Sequence, residues 1–128
     1  MRRTAAGLVA TGALVLTGCA ASSGDDARAV ATAFEDPGGD PQARCDLLVP
    51  ATRTVLESER SAPCADVIGD LPLPGGDVTA VEAWSGDAQV RLGGDVVFLT
   101  ETDAGWRVTA AACESRGELP YDCEVEGP

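Results

Sequence analysis

Pro72, Pro74, Gly75 and Gly76 divide this chain into two halves with different hydrophobic periods. That change constrains the fold more than any other feature. Before it, apolar residues recur at helical spacing: Ala27, Val30, Ala31 and Phe34 share one face. Asp36-Pro37-Gly38-Gly39 breaks that helix. Asp40-Pro41 restarts one, with an N-cap side chain and a proline at the first helical position. Pro50 opens a third helix with Val55 and Leu56 on its apolar side, and residues 64–71 read as a further turn or two.

After the break the period is two. Residues 78–84 are rich in β-formers, and Ala88, Val90 and Leu92 alternate with Gln89 and Arg91. Residues 96–100 are apolar on both faces, as a central strand is. Trp106 and Val108 alternate with Arg107 and Thr109 up to about Ala112. Ser85-Gly86-Asp87, Gly93-Gly94 and Asp103-Ala104-Gly105 are the turns, and Gly93-Gly94 suits a two-residue hairpin. Such short connections cannot hold crossover helices, so the strands are expected to be antiparallel. The fold class expected is α+β: N-terminal helices packed on a curved four-stranded antiparallel sheet, followed by a polar tail from Glu114. Phe34, Leu48, Leu56, Ile68, Leu71, Val81, Val90, Leu92, Val97, Leu99 and Val108 should form the core. Trp84 and Trp106 are placed either in it or at a pocket mouth.

Cysteines add a second constraint. Cys45, Cys64, Cys113 and Cys123 make an even set, which reads as disulfides in an exported chain. Four cysteines allow three connectivities. The sequence-local one, Cys45–Cys64 with Cys113–Cys123, is preferred. No pair has CxxC spacing and the chain has no His, so zinc is not expected.

The start of the chain points to export. Arg2 and Arg3 precede a small apolar stretch of about a dozen residues, too short for the ~20 that a spanning helix needs. The stretch ends in Leu16-Thr17-Gly18-Cys19, which resembles the lipobox of bacterial lipoproteins. That resemblance implies cleavage before Cys19, lipid on Cys19, and a domain held at the extracytoplasmic face of the cell membrane. Ordinary secretion is preferred to the twin-arginine route, because Thr4-Ala5-Ala6 lacks the rest of that pattern. The domain reading is then 1–18 signal peptide, 19–25 lipidated flexible tether, and 26–128 a single α+β domain.

Further segments resemble small uncharacterised actinobacterial lipoproteins: Cys45-Asp46-Leu47-Leu48, Pro63-Cys64-Ala65, Ala88-Gln89-Val90-Arg91-Leu92, Gly105-Trp106-Arg107-Val108 and Pro120-Tyr121-Asp122-Cys123. The resemblance supports the disulfides and an extracytoplasmic domain, and it brings no activity. The order of elements is similar to that of NTF2-like, cystatin-like folds, in which helices are cradled by a bent antiparallel sheet.

Charge excludes some function classes. There are 9 basic residues, all arginine, against 21 acidic ones, for a net charge of −12. Nucleic acid needs a basic face and anionic lipid a basic patch, so neither is an expected electrostatic partner. Chemistry is equally sparse. The usual group titrating near neutrality is missing and no Ser–His pair exists. Asp95 and Asp87 are conceivable general bases, but both are read as solvated turn residues. Asp66 and Asp70, one helical turn apart, read as a wet face. Glu118, Asp122, Glu124 and Glu126 match no calcium-loop spacing and read as a solvated tail. Core Trp106 beside surface Arg107 is preferred to a recognition patch. No catalytic residue, cofactor or metal is assigned, and no ligand-binding residue is identified. The expected function is a non-catalytic binding module at the cell envelope, with an envelope or membrane protein as partner. The alternative is a carrier of a small apolar ligand, using a cavity between helices and sheet.

Overall fold

A computed structural model describes residues 12–13 and 19–128; the segment read as a signal peptide lies outside the described residues, Gly12 and Ala13 apart. Helix α1 spans Cys19–Glu35, α2 Pro41–Asp46, α3 Pro50–Arg60 and α4 Cys64–Val67, with a 3-10 turn at Ile68–Asp70. α1 begins at Cys19 rather than near Ala27, so residues 19–25, read as a tether, form its first turns. Asp40 caps α2 as expected: its carboxylate accepts from the Ala43 amide at 2.8 Å, with Pro41 at the first position. α3 ends on Ser61 in the left-handed region, φ 52°.

The sheet is antiparallel and has five strands, not four: β1 Val78–Trp84, β2 Asp87–Leu92, β3 Asp95–Thr102, β4 Gly105–Arg116 and β5 Leu119–Glu126. Their spatial order is their chain order. The fifth strand comes from the segment read as a polar tail. β4 runs on to Arg116, the chain turns through Gly117 at φ 67°, and β5 pairs back with Cys113 opposite Cys123. The tail's acidity hid a strict alternation: Leu119, Tyr121, Cys123 and Val125 are separated by single polar or proline residues. Gly93-Gly94 forms the expected two-residue hairpin, with φ of 54° and 98°.

Helices cover one face of the sheet. The core between them holds ten of the eleven expected residues; Val81 is only half-buried against its edge. Phe34, Leu56, Leu99 and Trp106 fill its centre. Trp84 lies outside it, about half exposed. β5 does not reach residues 105–109 of β4, and the connection between α2 and α3 takes its place. There the Val49 amide donates to the Val108 carbonyl at 2.9 Å, and the Val108 amide to the Leu47 carbonyl at 2.8 Å. The other face carries a smaller cluster of Val96, Ala110 and Cys113, flanked by Phe98, Tyr121 and Cys123. Both disulfides have the sequence-local connectivity, Cys45–Cys64 and Cys113–Cys123, with Cα atoms 6.0 and 4.0 Å apart.

Candidate functional site

The least expected feature is a carboxyl pair inside the protein. Glu35 ends α1 and is fully buried. It occupies the apolar stripe of its own helix, one turn beyond Ala31 and two beyond Ala27, so the helix that packs its face on the sheet buries Glu35 with it. Asp95 begins β3 on the side of the sheet shared by Val97 and Leu99, and is 5% exposed. The reading of Asp95 as a solvated turn residue is therefore corrected. It lies past the Gly93-Gly94 turn, and the strand's alternation carries it inward.

Asp95 is held by backbone alone. Its Oδ1 accepts from the amides of Val96 at 2.7 Å and Cys113 at 2.8 Å, and its Oδ2 from Ala112 at 2.8 Å. Ala112 takes a positive φ of 54°, a conformation unusual for a residue with a Cβ, and its amide is one of the two that β4 offers. Three N–H donors suit an anion. Glu35 Oε2 accepts from the Gly75 amide at 3.0 Å, and its Oε1 has no N–H or hydroxyl donor. The Asp95 carboxyl is the neighbour that raises its pKa. With one N–H donor against three on Asp95, Glu35 is the member of the pair that keeps a proton. Burial, then Asp95, push Glu35 up from 4.5 to about 8, against the opposing Gly75 amide. Arg44 of α2, also buried, donates through Nε to the Phe34 carbonyl at 2.8 Å. Burial lowers its guanidinium below the ordinary value, while Glu35 and Asp36 act the other way.

Beside the pair opens a cleft of about 560 Å³. One wall is apolar: Leu71, Pro72, Leu73 and Pro74. The other carries Asp95, Glu114, Asp122 and Glu124. The four acidic residues that the sequence groups, Glu118, Asp122, Glu124 and Glu126, are thus dispersed. Asp122 and Glu124 face this cleft, Glu118 is exposed near the β4–β5 turn, and Glu126 lines a different groove. Arg60 reaches Glu124 at 3.4 Å. Among the described residues, no group of three His, Cys, Asp or Glu is disposed to hold a metal ion.

The second groove, about 690 Å³, runs from the start of α3 across the sheet face that the helices leave uncovered. Val49, Ala51, Phe98, Ala110, Pro120 and Tyr121 give it a largely apolar lining. Phe98 and Tyr121 meet edge to face with ring centres 5.4 Å apart, and Arg91 donates to the Tyr121 hydroxyl at 3.1 Å.

The other sequence candidates take plainer places. Asp87, Asp66 and Asp70 are exposed. Trp106 is core, and half-buried Arg107 folds back onto the Trp106 carbonyl. Cys19 starts α1. Among the described residues, no helix is long and apolar enough to cross a membrane. No protein-family model, no curated protein and no solved structure matches the chain.

Proposed function

We propose that this chain is a non-catalytic binding module of a bacterial cell envelope, held at the extracytoplasmic membrane face by lipid on Cys19. Its partner is an envelope or membrane protein that docks on the sheet face opposite the helices. The observation that carries the docking reading is the groove on that face. It gathers Val49, Phe98, Ala110 and Tyr121 into an open apolar surface, though the core is already formed on the other side. An open groove of this kind suits a protein segment, not an enclosed small molecule. The carrier reading has less support, because Phe34, Leu56, Leu99 and Trp106 fill the space between helices and sheet.

The address rests on the lipobox-like Leu16-Thr17-Gly18-Cys19 and on two disulfides, which persist in oxidising compartments. The kinship we infer is with small actinobacterial lipoproteins of NTF2-like, cystatin-like element order. Helices on one face of an antiparallel meander support that order.

Two measurements test the proposal. Cys19→Ala should move the protein from the membrane to the soluble fraction; continued membrane retention would refute the anchor. A photo-crosslinking residue at Phe98, in the groove, should give an adduct of one discrete mass on intact cells. The same residue at exposed Thr32 on α1 should give none. The reverse pattern would remove the groove from the proposal.

A further inference from the structure

Helix α1 fixes which end of the molecule lies nearest Cys19. Its last residue, Glu35, is at the β2–β3 end of the sheet. There Glu35 Oε2 accepts from the Gly75 amide at 3.0 Å, and Gly75 packs against Gly93 of the β2–β3 turn. Further along the sheet, a Cβ on Gly24 would lie 3.8 Å from Val81 Cγ1, in the middle of β1. α1 therefore starts toward the opposite end, the one that carries the β1–β2 and β3–β4 turns. From Gly24 back to Cys19 the helix adds about 7.5 Å of rise. From Val81 on to Trp84 the strand adds about 10 Å. Cys19 and Trp84 thus stand at the same end and at similar heights.

We propose that this end of the domain rests on the membrane, with Trp84 as its contact at the lipid interface; the inference depends on the lipid anchor proposed for Cys19. A helix that starts at Cys19 leaves no slack between lipid and domain, and buried Ala27, Ala31 and Phe34 pack that helix on the sheet. The anchor then sets orientation as well as distance. Among the described residues, Trp84 is one of two large apolar side chains that are exposed, at 49%. The other, Leu119, opens β5 beside the β4–β5 turn, at the far end of the sheet. An indole suits the membrane boundary, because its ring is apolar and its N–H can bond a headgroup.

Charge selects the kind of lipid surface. Asp25 and Asp26 lie in the first turns of α1, and Asp87, Glu101 and Asp103 lie on or beside the two turns. Arg28 on α1 and Arg107 near the start of β4 are the cations toward this end. Acid is in excess, so anionic headgroups are repelled and the contact is with a zwitterionic surface. One indole does not hold the domain there; it orients a domain that the acyl chains already hold. The strands then rise from the membrane, and the sheet face that bears Phe98 and Tyr121 looks along it, toward a neighbouring envelope protein.

The test uses the mature chain purified from membranes and reconstituted in phosphatidylcholine vesicles that carry a headgroup-level spin label. Co-sedimentation with the vesicles reports the anchor. Trp84 emission, taken as wild type minus W84F to remove buried Trp106, reports the contact. The label should quench that emission about twofold or more, as expected for an indole at headgroup depth. In a W84F background, Leu119→Trp should co-sediment equally, and the added emission should stay unquenched. A chain that co-sediments with Trp84 unquenched overturns the inference and leaves the anchor standing. Equal quenching of Trp84 and of the Leu119→Trp probe does the same, because the domain then has no fixed orientation. A chain that carries no lipid and stays in the supernatant overturns both.

Discussion

At the scale of single residues, position within an element decides more than residue type. Glu35 and Asp95 are ordinary carboxylates that their helix and strand carry into the interior. The sign of the resulting pH dependence follows from linkage. Folding raises Glu35 from 4.5 to about 8, so the folded state holds more protons than the unfolded state between these values. This contribution is full below pH 4.5, declines as pH rises, and is gone above about pH 8. Denaturant midpoints of wild type and E35Q should therefore diverge across this window, with wild type falling by up to about 1.4 kcal/mol per pH unit relative to the variant. Parallel curves would refute the assignment of the proton to Glu35. Gly93 tests packing against Gly75, on the side opposite Glu35. Gly93→Ala puts a methyl group on top of the Gly75 carbonyl, at a backbone φ of 54°. A loss of at least about 2 kcal/mol in urea unfolding is expected. Both buried carboxylates were open to detection from the sequence. Glu35 continues the stripe of Ala27 and Ala31, and Asp95 alternates with Val97 and Leu99. The adjacent Gly93-Gly94 drew Asp95 toward the reading of a turn residue, and Glu35, beside the breaker Asp36-Pro37, was given no role.

At the scale of elements, the most consequential case is β5. Composition marked residues 114–128 as a solvated tail, whereas period-two alternation marked a strand, and pairing to β4 decided for the strand. Helix starts were easier, because Asp40-Pro41 and Pro50 act through local backbone chemistry that needs no tertiary partner. The sheet's second face was not legible, because its apolar residues, Val96, Phe98, Ala110 and Tyr121, come from three strands and meet only in three dimensions. Two experiments follow from β5. A chain ending at Arg116 should express as aggregated or unfolded protein, since it exposes the β4 edge and leaves a void where fully buried Val125 packs. Soluble, cooperatively folding material would return residues 117–128 to the status of a tail. Replacing Cys113 and Cys123 together by Ser should cost about 2.7 kcal/mol by the chain-entropy relation for a loop of this length. Hydrogen exchange should then quicken in β4 and β5 well before β1 and β2.

At the scale of the whole molecule, charge dominates. With a net charge of −12 on a 128-residue chain, self-repulsion opposes the compact state. The melting temperature should therefore rise by several degrees as NaCl is raised from ~10 to ~150 mM, because the Debye length shrinks from ~30 to ~8 Å. A flat or falling dependence would mean that the three ion pairs among the described residues, Arg53–Asp46, Arg53–Glu57 and Arg60–Glu124, outweigh the excess of acid. That outcome is disfavoured, because exposed pairs contribute only about 0–1 kcal/mol each.

The agreement between strand order and chain order has a kinetic consequence. Each strand finds its neighbour across a short turn, so every rung of the ladder closes a small loop at low entropic cost. The tie between residues 47–49 and Val108 spans some 60 positions and is worthless until β4 is in place. Folding should then run as a zipper along the hairpins, with the helical half docking late. Substitutions at Val108 that weaken the tie would speed unfolding far more than they slow folding, while changes in the Gly93-Gly94 turn would do the opposite.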